Sequence, residues 1–310
     1  MSSNKPQVSV GMPVFNGDNY LAETLDSILA QTFQDFEVVI SDNGSSDGTE
    51  AICRQYMARD PRVHYYRSET NRGVSWNFRR AAGLSSGEYF MFLAHDDKLA
   101  PEFLEQCVAV LDHQPEVVLC YPKANEIDTE GNFLYKKEQF LDADSPKPHK
   151  RFRQMIRMDH NCETLFGLTR ASALKKTTIH AEFPDGDRVM LAELSLHGTY
   201  HRVPDYLFLH REHPVRSINL YPTRFDRMAL LEPQRAGEFT LPHFLEFFEY
   251  LRCIRRAPLS FRERLACYGE MLRWLKDNRK RLRGDVIYVS KRFLKRALRV
   301  QGRPREAHRS

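Results

Sequence analysis

No apolar run in the sequence approaches the length needed to cross a bilayer; the longest stretches, such as Tyr89–Ala94, are strand-sized. The first residues, Met-Ser-Ser-Asn-Lys-Pro, lack an apolar core and lead straight into a strand pattern, which argues against secretion by a cleaved signal. The six cysteines (Cys53, Cys107, Cys120, Cys162, Cys253 and Cys267) never form a C-x-x-C pair. Buried free thiols in a reducing compartment are expected of them. Zinc spacing is missing as well: His210 and His213 stand three apart, and Glu212 is misplaced for a zincin motif. There is no internal repeat. These absences predict a cytoplasmic protein, at most peripheral on the inner face of the membrane.

What is present is an ordinary globular composition, 42% hydrophobic and 28% charged, over 310 residues. That length holds one large domain with or without an appendage. The formal charge of +5 hides an asymmetry. Residues 251–310 carry 19 Lys/Arg against 5 Asp/Glu, and the totals of 46 and 41 leave 27 against 36 for the rest. The basic tail and the acidic body face different partners.

The first 120 residues alternate between the strand and helix periods. Gln7–Val10, Phe36–Ser41, Arg62–Arg67, Glu88–Ala94 and Val117–Tyr121 read as strands, the fourth suited to burial on both faces. Between them, helices are predicted with Leu21, Leu25, Ile28 and Leu29 on one face, over Thr49–Arg59, over Val74–Ala82, and after Pro101 with Phe103, Leu104, Val108 and Leu111. Asp18 or Asn19 is placed to cap the first of them. Such alternation implies an α/β fold, a mainly parallel sheet flanked by helices with a Rossmann-like nucleotide-binding half. Ligands of these sheets bind beyond the carboxyl ends of the strands. Asp42 follows the second strand and Asp96 and Asp97 the fourth, so these carboxylates should share one edge. Farther on, a hairpin is expected in Asn125–Leu141 turning at Glu130–Asn132, a helix over Arg151–Met158, extended chain over Thr164–Thr169, a helix over Asp187–Leu196 and a strand over Tyr200–His210. Residues 222–310 read as mostly helical and Arg-rich, with a disordered end.

The run Val10-Gly11-Met12-Pro13-Val14-Phe15-Asn16-Gly17, then Ser41-Asp42-Asn43-Gly44-Ser45-Ser46-Asp47-Gly48-Thr49, Asn71-Arg72-Gly73 and Phe92-Leu93-Ala94-His95-Asp96-Asp97, resembles a family 2 glycosyltransferase of the GT-A fold. The resemblance covers roughly the first 130 residues, continues more weakly through 160–217, and stops near 220. It implies a GT-A domain over 1–220, with a nucleotide-sugar half at 1–125 and an acceptor half at 126–220, followed by a helical basic C-terminal extension over 221–310.

The resemblance also implies roles. Asp42 would hydrogen-bond the nucleotide base, an acceptor facing an N–H, beside backbone of the Pro13–Asn16 turn, with Phe15 and Arg72 completing the nucleotide-sugar site. The residues themselves equally allow Asp42 an Asx turn that closes the strand–helix connection. The family's Asp-x-Asp stands here as Ala94-His95-Asp96, with Asp97 following. Asp96 would ligate a Mg²⁺ or Mn²⁺ cofactor on the diphosphate, with Asp97 and His213 as further metal candidates; a helix-capping acid pair is the plain alternative. Ala94 removes the first carboxylate and, in the segment Phe183–Arg188, Gly186 replaces the family's Glu. Asp187 is then the base that takes the acceptor proton, with Asp185 in reserve and an N-cap as the rival role. Arg211, within Leu209–His213, would donate to diphosphate oxygens, and Gly167 and Arg170 would line the acceptor side.

The activity implied is inverting transfer of a sugar from a nucleoside-diphosphate sugar to a glycan or lipid-linked acceptor, in polysaccharide or glycolipid synthesis. Residues 286–300 place Val286, Val289, Phe293 and Ala297 near helical spacing among Lys291, Arg292, Lys295, Arg296 and Arg299, a pattern suited to an anionic membrane surface. No nucleic-acid module is recognisable. Two rivals remain: a silent nucleotide- or membrane-binding scaffold, and a sugar-phosphate nucleotidyltransferase. The second needs a basic loop after the first strand, and Gly11–Gly17 contains no Lys or Arg.

Overall fold

The structure is a computed structural model and describes residues 5–137, 143–157, 163–179, 185–221, 227 and 241–301. In chain order, β1 (Val8–Val14), α1 (Leu21–Leu29), β2 (Phe36–Asp42), α2 (Thr49–Arg59), β3 (Val63–Arg67), α3 (Val74–Leu84) and β4 (Tyr89–Phe92) realise the predicted alternation. There follow a two-residue strand β5 (Lys98–Leu99), α4 (Phe103–His113), β6 (Val117–Ile127), β7 (Phe133–Lys137) and α5 (Pro148–Arg157). A 3₁₀ turn (Glu163–Phe166) precedes β8 (Leu168–Arg170), α6 (Ala171–Leu174), α7 (Gly186–Leu194) and β9 (Thr199–Arg211). Last come α8 (Ser217–Leu220), α9 (Pro242–Arg256) and α10 (Phe261–Gln301).

Among the described residues nine strands form one sheet in the order β3-β2-β1-β4-β8-β6-β9-β5, with β7 beside β6. The strands β3, β2, β1 and β4 run parallel, as do β6 and β9, while β8 enters antiparallel between β4 and β6. Strand β4 shows why the sheet needs helices on both faces. Its four residues are all buried, Tyr89 and Met91 in the core under α1, α2 and α4, Phe90 and Phe92 in a smaller cluster with Met190 of α7. Alternate residues of one strand point to opposite faces, so neither face of β4 meets water.

Three local expectations fail for physical reasons. Neither Asp18 nor Asn19 caps α1; Tyr20 holds that position without a side-chain cap, and Asp18 Oδ2 instead accepts the Gly48 N–H at 3.1 Å. Of Thr164–Thr169 only Leu168 and Thr169 are extended, in β8; the chain coils through Phe166, and Gly167 lies so close to the Cys120 carbonyl that a Cβ would stand 2.8 Å from it. Strand β6 runs on to Ile127 because β9 pairs with it throughout.

The expected helical C-terminal region is present and packs on the preceding helices. Tyr250, Cys253 and Ile254 of α9 and Cys267, Met271, Trp274 and Leu282 of α10 share a second core with Phe152 and Met155 of α5 and Val189 and Leu191 of α7. The packing therefore crosses the boundary expected at residue 220. The expected disordered end, residues 303–310, lies outside the described residues, as do Cys162 and Phe183–Pro184.

Candidate active site

The loops after β1, β2 and β4 meet at one edge of the sheet. Asp42, the last residue of β2, is in register with Val14 of β1, and Leu93 just after β4 donates its N–H to the Gly11 carbonyl at 3.0 Å. Asn16 and Gly17 donate their N–H groups to Ser45 Oγ and Thr49 Oγ1, each at 2.9 Å, and Asn16 Oδ1 accepts from the Ser46 N–H. Gly17 also faces His95, whose ring would lie 2.6 Å from an added Cβ. Thr24 of α1 closes the third side, its hydroxyl shared between the His95 and Asp97 carbonyls at 2.7 and 2.8 Å. The edge predicted from strand ends is thus real as backbone.

The side chains on it divide into those that face outward and those that work inward. Phe15, Asn16 and Arg72 are exposed and Pro13 is half-buried, with Arg72 stacked 4.4 Å over the Trp76 ring. Asn16 adopts φ +51°, a left-handed conformation that asparagine tolerates better than most residues. Asp42 faces inward. It is fully buried; Oδ1 accepts the Ser45 N–H and hydroxyl at 2.9 and 2.6 Å, and Oδ2 accepts from Tyr65 at 2.7 Å. In this placement the carboxylate closes the turn, the alternative role open to it.

Asp96 and Asp97 differ as sharply. His213 Nε2 donates to Asp96 Oδ2 at 2.9 Å across 117 residues of sequence, and the Asp96 side chain keeps 18% exposure. Burial opposes its ionisation, but the His213 hydrogen bond and the nearby His95 outweigh that and hold its carboxyl below the ordinary range. Asp97 is buried, its Oδ1 accepting the Arg211 N–H at 3.0 Å; burial first, then the Asp96 charge, push its carboxyl up. The three candidates Asp96, Asp97 and His213 are therefore not one ligand set, and no cluster of three metal-binding side chains exists among the described residues. Asp97 leaves the set because its carboxylate is turned onto backbone.

Arg211 is also placed otherwise than expected. Its guanidinium is buried, donating from Nε to the Asp96 carbonyl at 2.9 Å, from Nη1 to the Asp128 and Thr129 carbonyls, and from Nη2 to Glu23 at 2.9 Å. It stacks 4.4 Å over Tyr20. An arginine so engaged holds the aspartate turn. Arg170 is likewise structural, donating to the carbonyls of Val117, Leu111 and Gln114.

His213 Nδ1 is buried without a hydrogen-bond partner. The part-exposed Asp96 carboxylate, steadied on its Oδ2 by His213, fits a Mg²⁺ or Mn²⁺ ion that takes few protein ligands and completes its shell on phosphate and water. Asp187 lies half-buried in the first turn of α7, its Oδ1 accepting the following N–H at 2.8 Å. One turn on, Met190 belongs to the same small cluster as Phe90 and Phe92 of β4. The sequence reading passed over Asn43, Tyr65, Tyr20 and Glu23. Asn43 is buried and ties Asn71, Arg72 and Gly73 to the β2 turn. Only its place within the polar run 42–48 hinted at that.

The family model for glycosyl transferase family 2 matches residues 9–176, more than half the chain. The chain belongs to glycosyl transferase family 2. Relatives include an uncharacterised glycosyltransferase of Rickettsia typhi, 35% identical over 135 residues, which are 42% of this chain and 40% of that one. The chondroitin synthase of Escherichia coli is 34% identical over 129 residues, 42% of this chain and 19% of the synthase. This family 2 chain thus spans less than half the length of either relative. Among solved structures, S. aureus TarS 1–349 in complex with UDP-GlcNAc superposes with a TM-score of 0.63 at 17% identity, over 87% of this chain and 72% of that one. The mannosyltransferase PcManGT of Pyrobaculum calidifontis, in complex with GDP-Man and Mn²⁺, gives 0.52 at 16%, over 90% and 76%. Both share the GT-A architecture of this family 2 chain.

Proposed function

We propose that the chain moves a sugar from a nucleoside-diphosphate sugar to an acceptor hydroxyl with inversion, in the synthesis of a surface polysaccharide or glycolipid. The observation that carries this reading is the Asp96–His213 pair, an accessible carboxylate held at the carboxyl edge of the parallel strands. The nucleotide-sugar complexes of TarS and PcManGT, and the Mn²⁺ in the latter, support it.

Phe15, Asn16 and Arg72 contact the nucleotide on the exposed rim, with the Pro13 turn beneath them. Asp42 and Asn43 shape that rim from behind. Asp96, steadied by His213, would hold the Mg²⁺ or Mn²⁺ ion, which when bound would offset the charge of the departing diphosphate. Arg211 positions Asp96 through its carbonyl. Asp187 accepts the proton of the attacking hydroxyl, and Asp185 leads the chain into its helix in a left-handed turn, φ +71°. The acceptor is a glycan or lipid-linked sugar.

The test is donor consumption across a panel of nucleotide sugars, with and without Mn²⁺. Asp96→Ala should lower turnover by roughly 10²–10³-fold, the scale of losing one preorganised charge-stabilising group. Equal turnover in variant and wild type would remove the metal assignment, and no consumption of any donor would remove the reaction.

A further inference from the structure

Helix α10 carries features that sugar transfer does not use. It buries Cys267, Met271, Trp274, Leu282 and Asp285. Yet Phe261 is 79% exposed, Leu265 61%, Leu272 70%, Val286 47% and Phe293 64%. The last four of these, with Arg279 filling the gap, recur at steps of seven, close to two turns, so they form one apolar row along the helix. Asp285, whose carboxylate binds the N–H and Nδ1 of His243, is the last buried residue. Beyond it no described side chain of α10 is buried, and Val286, Ile287, Tyr288 and Phe293 are exposed.

Charge follows the same helix. Residues 261–301 hold 13 Lys/Arg and 4 Asp/Glu, and 286–301 hold five Lys/Arg and no acid. A helix that keeps this much apolar side chain exposed to water forgoes burial that most surfaces would take.

We infer that the outer face of α10, from Phe261 to Phe293, docks on an anionic lipid bilayer. Apolar side chains enter the headgroup–acyl boundary while Lys and Arg meet lipid phosphates. No described helix is long and apolar enough to cross a membrane, so α10 lies on the surface. Charge also decides against a second copy of this chain. Paired helices set bases beside acids, and 286–301 has no acid to offer, so two copies paired in parallel would bring like charges together.

The inference does not depend on the transfer chemistry, and co-sedimentation of the full chain with vesicles tests it separately. Vesicles containing phosphatidylglycerol should bind at least about tenfold tighter than pure phosphatidylcholine, with the difference shrinking at high salt. The double variant Val286→Glu, Phe293→Glu should lose at least about tenfold of that binding, since two apolar anchors become charges. Its melting temperature and its donor turnover without vesicles should stay at the wild-type values. Equal binding to neutral and anionic vesicles, or no binding, would overturn the inference. So would a wild-type dimer in solution that the double variant dissolves, which would assign the face to a second copy.

Discussion

Asp96 keeps 18% of its side chain exposed, held by His213, while Asp97 is buried on the Arg211 N–H. Adjacent residues in a turn point apart, so one carboxylate stays part-exposed and the other fixes the backbone that presents it. The pair was legible in the sequence, but not which member did which, because that depends on β9 arriving alongside. Asp42 was legible as a strand-end acid; that Ser45 and Tyr65 would occupy it was not. Gly44 offers a sharper residue-scale prediction. It adopts φ +78°, and an added Cβ would meet the Thr70 backbone at 2.8 Å. Gly44→Ala should cost about 1–3 kcal/mol, from a left-handed alanine plus a clash that no side chain can relieve. Urea unfolding measures it, and an unchanged midpoint would contradict the geometry.

Elements formed where periodicity and turn chemistry agreed. Helix α2 has the bounds its sequence predicts, and β4 is buried on both faces as its unbroken apolar run requires. Boundaries slipped where a partner decides. Strand β6 extends past Tyr121 because β9 supplies hydrogen bonds to its polar half, and the two-residue β5 exists only by pairing with Leu209 and Phe208. Capping follows the same rule. Helix α9 starts at Pro242 after Leu241, which makes no side-chain cap, and Asp285 of α10 binds the His243 N–H at 2.8 Å instead. Asp285→Ala should therefore cost about 1–2 kcal/mol, as the loss of a cap does, although the residue lies 42 positions from the helix it serves. A thermal melt matching wild type would show that the cap contributes nothing.

At the scale of the molecule, two large cores and a smaller cluster are formed among the described residues, and the second core includes side chains of α9 and α10. The thiols report on both. Cys53, Cys107, Cys253 and Cys267 are buried, and burial pushes every one of these thiols up, Cys53 and Cys267 to about 12. Peptide mapping after brief iodoacetamide treatment at pH 8 should find these four unmodified in the native protein and modified once it is unfolded, because the thiolate is the reactive form. Rapid native labelling of Cys253 or Cys267 would show that the second core opens readily. The amino-acid order by itself determined the α/β alternation, the edge where strand-end acids gather, the family and the basic tail, since periodicity, turn residues and charge are local properties. Only the tertiary structure decided that Asp42, Asp97 and Arg211 work inward, that His213 reaches Asp96, and that the tail helix joins the core along one face while leaving another bare. Each of those outcomes depends on which distant groups compete for the same donors, acceptors and apolar surface, and that competition exists only once the chain is packed.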